Sequence, residues 1–215
     1  MEVNRREIFR YLGYKRDEAD DRTRALAESC LNELEQAADP RTMVLEYPLT
    51  LGENHQIDAS CFQTRSRNLW KNLKDCEKIA VFASTLGAGA DQLIQKYSRL
   101  QMSRAVVLQA AATAMLEDYC DSICQGLKEE YEKKGLYLRP RFSPGYGDFP
   151  LEVQKNLLDG LEAGKRIGIK LTDSLLMTPS KSVTAVMGIS KKPYRCQVRG
   201  CEVCQKTDCM YRRQS

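Results

Sequence analysis

One arginine stands at the head of a loop rich in proline, glycine and aromatic residues, and these residue types could bind a small anionic ligand. Residues 141–150 read Arg-Phe-Ser-Pro-Gly-Tyr-Gly-Asp-Phe-Pro. Pro144 fixes its own φ and drives Ser143 towards an extended conformation, while Gly145 permits a tight turn. A stiff loop of this kind presents its backbone polar groups to a ligand with little loss of conformational entropy.

The side chains of this loop could make two further kinds of contact. The guanidinium group of Arg141 is a planar fork that fits a carboxylate, and Tyr146 provides an aromatic ring with a hydroxyl group. On composition alone, however, a purely structural connection around a buried tyrosine is the preferred interpretation. Motifs elsewhere in the chain decide between these two possibilities.

Four cysteines near the C-terminus form a second group that could do chemistry. Their spacing is C-x4-C-x2-C-x4-C, and they are Cys196, Cys201, Cys204 and Cys209. Four thiolates so close together favour a tetrahedral zinc site, and the first three also match the spacing of a plant-type 2Fe–2S loop. A disordered tail with free or air-oxidised thiols remains the alternative.

The loop is followed by motifs that together resemble a known family. In chain order they are Arg141, Pro144-Gly145-Tyr146, Pro150, Leu171-Thr172-Asp173-Ser174, Met177, Pro179 and Ser182-Val183. Over about residues 80–190, this ordered set resembles the activation (reactivation) domain of cobalamin-dependent methionine synthase. Phe142 and Gly147 stand where the multidomain members tend to have proline, which suggests a free-standing branch of the family. Tyr194 is the candidate for a second ligand-contacting tyrosine.

The resemblance implies a function as well as a fold. It implies that the chain binds S-adenosylmethionine and supports reductive methylation of cob(II)alamin on a separate cobalamin-binding methionine synthase subunit. An electron donor such as flavodoxin or ferredoxin would supply the electron. The chain would then be an accessory subunit of a methyltransferase, with no catalytic residue of its own assigned.

The resemblance also implies roles for individual residues. Arg141 would pair with the carboxylate of the donor, and Tyr146 would pack near its sulfonium group. Ser143 and Gly145 would contribute backbone polar groups. Glu117, on a preceding helix, would contact the α-ammonium group, although a solvated acidic face explains this residue equally well.

Two other classes of function stay open at this point. A stand-alone S-adenosylmethionine-dependent methyltransferase would turn over a small acceptor without cobalamin. A non-enzymatic adaptor that uses the cysteine-rich tail would not bind the donor at all. Whether the chain is itself an enzyme is therefore undecided from the sequence.

Composition narrows the classes of protein to which the chain could belong. Among the 215 residues, 42% are hydrophobic and 29% are charged, and no apolar run approaches the roughly 18 residues that a membrane-spanning helix needs. The net charge of +4 is modest, and basic and acidic residues are interleaved along the chain, which argues against nucleic acid as a partner. With nine cysteines and no signal-like start, we expect a cytoplasmic protein with reduced or metal-bound thiols.

Hydrophobic periodicity and turn residues predict the elements that position the loop. Helices are predicted over residues 4–13, 17–39, 66–76, 103–135 and 151–164, and strands over 42–50, 57–62, 78–85, 136–142, 167–171 and 182–189. The last strand before the loop delivers Arg141. Irregular alternation of this kind indicates an α+β fold, and the resemblance implies a curved, mainly antiparallel sheet flanked by helices. We expect a ligand-binding domain over residues 1–190 and a metal-binding tail over 191–215.

Overall fold

A computed structural model describes residues 3–14 and 19–193 of the chain. The predicted helix start at Asp17 and the candidate Tyr194 lie outside the described residues, as do the tail cysteines Cys196, Cys201, Cys204 and Cys209. The described residues divide into two compact units. One comprises the residues up to Ala38 together with Gly89–Tyr119, and the other comprises Asp39–Ala88 together with residues 120–193.

Helices and strands alternate irregularly along the described part of the chain, as the sequence predicts. The helices are α1 (Arg5–Tyr11), α2 (Asp21–Ala37), α3 (Arg67–Asn72), α4 (Ala88–Leu100), α5 (Met102–Lys133), α6 (Val153–Gly160) and α7 (Ala163–Arg166). The strands are β1 (Arg41–Pro48), β2 (Thr50–Leu51), β3 (Gln56–Asp58), β4 (Gln63–Arg65), β5 (Lys78–Thr85), β6 (Tyr137–Leu138), β7 (Lys170–Leu171), β8 (Met177–Thr178) and β9 (Ser182–Ser190).

The first unit is helical, and α1 begins in it at a side-chain cap. Asn4 accepts a hydrogen bond from the amide of Arg6 at 3.1 Å. The spacing of Asn4 and Glu7 is that of a capping box, in which the two residues cap each other, but the carboxylate of Glu7 pairs with Arg10 instead. The amide of Asn4 donates instead to Asp118 of α5 at 2.6 Å. A side chain distant in sequence therefore satisfies this end of the helix.

Close backbone packing joins α2 to α4 within the first unit. A Cβ atom built on Gly89 would lie 1.9 Å from the carbonyl oxygen of Ala37. Polar contacts join α2 to both α4 and α5, since Glu33 accepts from the hydroxyl of Tyr97 in α4 at 2.9 Å and pairs with Arg104 in α5. Glycine is thus required at position 89, because α2 and α4 leave no space for a Cβ atom there.

The second unit is built on a four-stranded antiparallel sheet with the order β1-β5-β9-β6. β5 and β9 pair along their whole length, from Lys78 opposite Ile189 to Thr85 opposite Ser182. Because side chains alternate along a strand, the two faces of the sheet carry different residues of β5. Ile79, Val81 and Ala83 join the hydrophobic core with residues of α3, α6 and α7. The mainly antiparallel sheet expected from the sequence is confirmed.

Residues of α5 beyond position 119 also contact the sheet within the second unit. The hydroxyl of Tyr131 donates to Glu46 of β1 at 2.5 Å, and the thiol of Cys124 lies 3.9 Å from the sulfur of Met187 on β9. The hydrogen bond from Tyr131, opposed by partial burial and aided by Lys78, lowers the pKa of Glu46. Among the described helices, α5 included, none combines the length and hydrophobicity that crossing a bilayer requires.

Three predicted elements are interrupted for local reasons. The strand predicted over 57–62 ends with β3 at Asp58, because Ser60 has a left-handed φ of +58° in the turn to β4. The single helix predicted over 151–164 is divided into α6 and α7 by Glu162, whose φ of +49° is left-handed. The predicted strand over 136–142 is reduced to β6 and an isolated bridge at Phe142. These changes leave the order of the larger elements as expected.

Two glycine-to-alanine substitutions in helices of different surroundings should change stability in opposite directions. Gly89→Ala should lower the free energy of unfolding by about 1–3 kcal/mol, because the new Cβ overlaps a backbone carbonyl that cannot easily move. Gly126→Ala, in α5 with no atom within 4 Å of the new Cβ, should raise stability by roughly 0.5–1 kcal/mol. Urea unfolding followed by circular dichroism measures both, and a neutral Gly89→Ala would contradict the close packing.

Candidate ligand-binding site

A β-bulge after β6 decides which way Arg141 faces. Leu138 pairs with Ile189, and continuing that register would bring Arg141 opposite Val186. Instead Phe142 occupies that place, with amide-to-carbonyl bonds of 2.9 Å in both directions. One extra residue has therefore been inserted in this strand, at a position next to Pro140, which has no amide hydrogen to donate.

The bulge places Phe142 and Arg141 on opposite faces of the sheet. Phe142 lies against the hydrophobic core together with Val186. The guanidinium carbon of Arg141 lies 5.9 Å from the ring centroid of Phe82, on the other face. Without the extra residue, strand alternation would point the arginine into the core.

A carboxylate of α5 holds the guanidinium group of Arg141. Nη2 of Arg141 donates to Oδ1 of Asp121 at 2.6 Å. The arginine side chain is 19% exposed, whereas the aspartate side chain is 61% exposed. An ion pair so open to water on one side adds at most about 1 kcal/mol, so a ligand carboxylate can share or replace it. The arrangement is thus a shielded cation beside an exposed, exchangeable anion.

Hydrogen bonds within the loop define what its backbone can offer to a ligand. The amide of Tyr146 donates to the carbonyl of Ser143 at 3.2 Å, and that of Gly145 to the carbonyl of Phe149 at 2.8 Å. Gly145 has a φ of +83° and Gly147 a φ of +58°, both in the region that favours glycine. The carbonyl of Gly145 and the amide of Ser143 are consequently the groups that these two residues could direct to a ligand.

Aromatic rings of the hydrophobic core pack against the loop. Phe142 makes a perpendicular contact with Tyr146 at 5.8 Å between centroids, and Phe149 packs on Phe62 at 5.9 Å. Phe149 is buried, whereas Tyr146 is 68% exposed. The buried tyrosine expected for a purely structural connection is therefore wrong, because the Tyr146 ring lies at the surface.

Asp148 is a residue of this loop whose part the sequence analysis missed. Its carboxylate accepts three hydrogen bonds at the start of α3, from the hydroxyl of Ser66 at 2.6 Å and the amides of Arg67 and Asn68 at 2.7 and 3.0 Å. The bond from Ser66 is the largest cause that lowers the pKa of Asp148. Because Asp148 and Ser66 are 82 residues apart, no local pattern reveals the contact.

The two acidic residues of interest on α5 lie one turn apart. Glu117, the predicted ammonium ligand, is half-buried and belongs to the first unit. Asp121 follows four residues later on the same helical face and belongs to the second unit with Arg141. The structure brings Asp121 to Arg141, and the four-residue spacing from Glu117 is the signal that could have identified it.

A metal site is predicted only for the tail. Within residues 3–14 and 19–193, no group of three or more histidine, cysteine or carboxylate side chains could hold a metal ion. The four tail cysteines lie outside these residues, so the zinc or iron–sulfur site stays a prediction.

Comparisons with known proteins support the same assignment of fold. Residues 69–214 match the family described as "Vitamin B12 dependent methionine synthase, activation domain". Among solved structures, the reactivation domain of MetH bound to AdoHcy is similar, with a TM-score of 0.66 and 18% sequence identity. The match covers 90% of this chain and 75% of that one. At this identity the structural likeness shows the fold, which confirms the predicted α+β architecture.

Proposed function

Because the chain belongs to the family of the activation domain of vitamin B12-dependent methionine synthase, we propose that it binds S-adenosylmethionine and reactivates a separate cobalamin-binding methionine synthase subunit. The observation that carries this proposal is the position of Arg141. A β-bulge turns it away from the core, Asp121 and Phe82 hold it, and the exposed Tyr146 follows five residues later. The MetH domain of similar fold is described as bound to AdoHcy, the demethylated form of this donor.

The proposed reaction is a reductive methylation in trans. The partner's cobalamin would accept the methyl group from the sulfonium of the donor together with one electron from a flavodoxin- or ferredoxin-like protein, leaving S-adenosylhomocysteine. This chain contributes orientation rather than covalent chemistry, because it holds the donor at a fixed distance and angle. It therefore acts as an accessory subunit rather than as a complete methyltransferase.

Arg141 is proposed to bind the carboxylate of the donor. Its guanidinium group can form two parallel hydrogen bonds with a carboxylate, and the aromatic ring behind it limits its hydration on one side. Its ion pair with the exposed carboxylate of Asp121 can be shared or released on binding. The group is thus ordered before the ligand arrives, which reduces the entropic cost of binding.

The loop is proposed to bind the sulfonium end of the donor. The face of the Tyr146 ring attracts a cation, and the carbonyl of Gly145 is a second partial negative charge nearby in the chain. The amide of Ser143 can donate to a polar atom of the donor. Glu117 is proposed to contact the α-ammonium group, in line with the role that the family resemblance implies.

Removal of the guanidinium group should weaken donor binding severely. Arg141→Ala should raise the Kd for S-adenosylmethionine by about 10- to 150-fold, because a charged hydrogen-bonded pair is lost. Arg141→Lys should be intermediate, since an ammonium group cannot form the planar fork. Isothermal titration calorimetry measures both variants.

The matched control for this experiment is Arg65→Ala, which removes an exposed arginine of β4 in the same unit. It should leave the affinity unchanged. Equal affinities of the wild-type protein and Arg141→Ala would remove Arg141 from the site, and absence of donor binding by the wild-type protein would refute the proposed function. Turnover of a small acceptor without cobalamin would favour a stand-alone methyltransferase instead.

Two charge-neutralising substitutions on α5 should change the affinity in opposite directions. Glu117→Gln should weaken donor binding, because a neutral amide attracts the ammonium group less. Asp121→Asn should strengthen it up to about 5-fold, because it removes an exposed carboxylate that competes for Arg141. Titration calorimetry at low and high salt measures both. The reverse result, with Asp121→Asn weaker and Glu117→Gln unchanged, would assign the ammonium contact to Asp121.

The tail cysteines are proposed to hold a metal ion. Purified protein should contain about one zinc per chain, or an iron–sulfur chromophore, and Cys201→Ser or Cys204→Ser should abolish it. Metal analysis with absorption spectroscopy, before and after chelation, distinguishes these cases. Cys61→Ser is the control, because burial raises the pKa of Cys61 to about 11 and keeps it a protonated thiol. Metal-free protein with unchanged thiol reactivity in the tail variants would contradict the site.

A further inference from the structure

The carboxylate of Asp148 is bonded away from the proposed ligand groups. It lies two residues after Tyr146, yet all three of its hydrogen bonds go to the Ser66 hydroxyl and the first amides of α3. The hydroxyl of Ser66 in turn accepts from the amide of Leu69 at 3.0 Å. Asp148 and Ser66 together therefore fasten the loop to this helix through one continuous set of bonds.

The residue after Asp148, Phe149, holds the loop by packing in the hydrophobic core. Phe149, next to Asp148, is 1% exposed and contacts both Phe62 and Phe142. Its carbonyl accepts from Gly145 and its amide donates to Tyr146. The loop is consequently held at one point by a polar contact and a buried ring on adjacent residues.

The exposed part of the loop needs such an anchor. Tyr146 is 68% exposed, and glycines with positive φ lie on both sides of it at positions 145 and 147. Glycine allows many backbone conformations, so a loop with two of them would lose order easily if it were tied only at its ends. A ligand that bound to a disordered loop would have to supply the free energy of ordering it.

We propose that Asp148 is a positioning residue, which orders the loop of residues 143–149 before the ligand binds by holding it to Ser66 and the start of α3. It makes no contact with the ligand, and it acts through the backbone that carries Gly145 and Tyr146. This inference rests on the proposed function for its effect on affinity, but its effect on loop order is independent of any ligand.

Hydrogen–deuterium exchange on the ligand-free full chain tests the ordering directly. Asp148→Ala should speed exchange of the amides of residues 145–149 by about 5- to 30-fold, the loss expected for removal of a capping carboxylate. Asp148→Asn should restore part of the protection, since its amide oxygen can accept the two bonds that Oδ1 accepts, from Ser66 and Asn68, whereas its Nδ2 cannot accept from Arg67. Asp173→Ala, on another exposed turn of the same unit, should leave this segment unchanged. Equal exchange in the wild-type protein and Asp148→Ala would overturn the proposal whether or not the protein binds a donor.

Calorimetry with S-adenosylmethionine tests the consequence for binding. Asp148→Ala should weaken affinity by a factor similar to its effect on exchange, and the affinity of Asp148→Asn should lie between those of Asp148→Ala and the wild-type protein. Combining Asp148→Ala with Ser66→Ala should weaken affinity less than the product of the two single effects, because both remove the same bond. If the two single effects on affinity multiply in the double variant, or if Asp148→Ala binds with wild-type affinity, the positioning role is overturned while the proposed function stays intact. Failure of the wild-type protein to bind would instead refute the proposed function.

Discussion

The candidate site depends on one irregularity in backbone pairing, the extra residue between β6 and the bridge at Phe142. Side chains of a strand alternate between the two faces of its sheet, so a shift of one residue exchanges the surroundings of every side chain that follows. With the bulge, an aromatic ring enters the core and Arg141 reaches Asp121. A regular strand would bury an uncompensated guanidinium group, which is far too costly for a stable fold. The bulge is therefore as important to the site as the arginine.

Elements with strong local signals were predictable from the sequence. β5 lies at the predicted residues because the seven consecutive apolar or small residues that follow Lys78 favour a buried strand, and α5 follows its three- and four-residue periodicity over 32 residues. The same reasoning predicted one helix where Glu162 adopts a left-handed conformation and divides two helices. Nothing in its residue type indicates that conformation, since glutamate is a good helix former.

The contacts that complete the site were beyond such reasoning, because their partners are distant in sequence. Asp121 and Arg141 are 20 residues apart, and Asp148 meets Ser66 across 82 residues. Composition identified the loop as stiff, yet it attributed the stiffness to Pro144 and did not include the polar anchor. The order of the motifs indicated the ligand class through the family resemblance. The contacts that each side chain of the candidate site makes came from the tertiary structure alone.

The pairing of β5 with β9 also bears on how the protein is made. The two strands meet across a long stretch of chain, since Thr85 and Ser182 are 97 residues apart. On the ribosome, β5 emerges long before β9 has been synthesised, so the backbone edge of β5 that pairs with β9 stays without its partner strand in the nascent chain. Such non-local pairing folds slowly and exposes strand edges to other chains. Yield of soluble protein during rapid translation is thus expected to depend on chaperones that shield this segment until β9 has been synthesised.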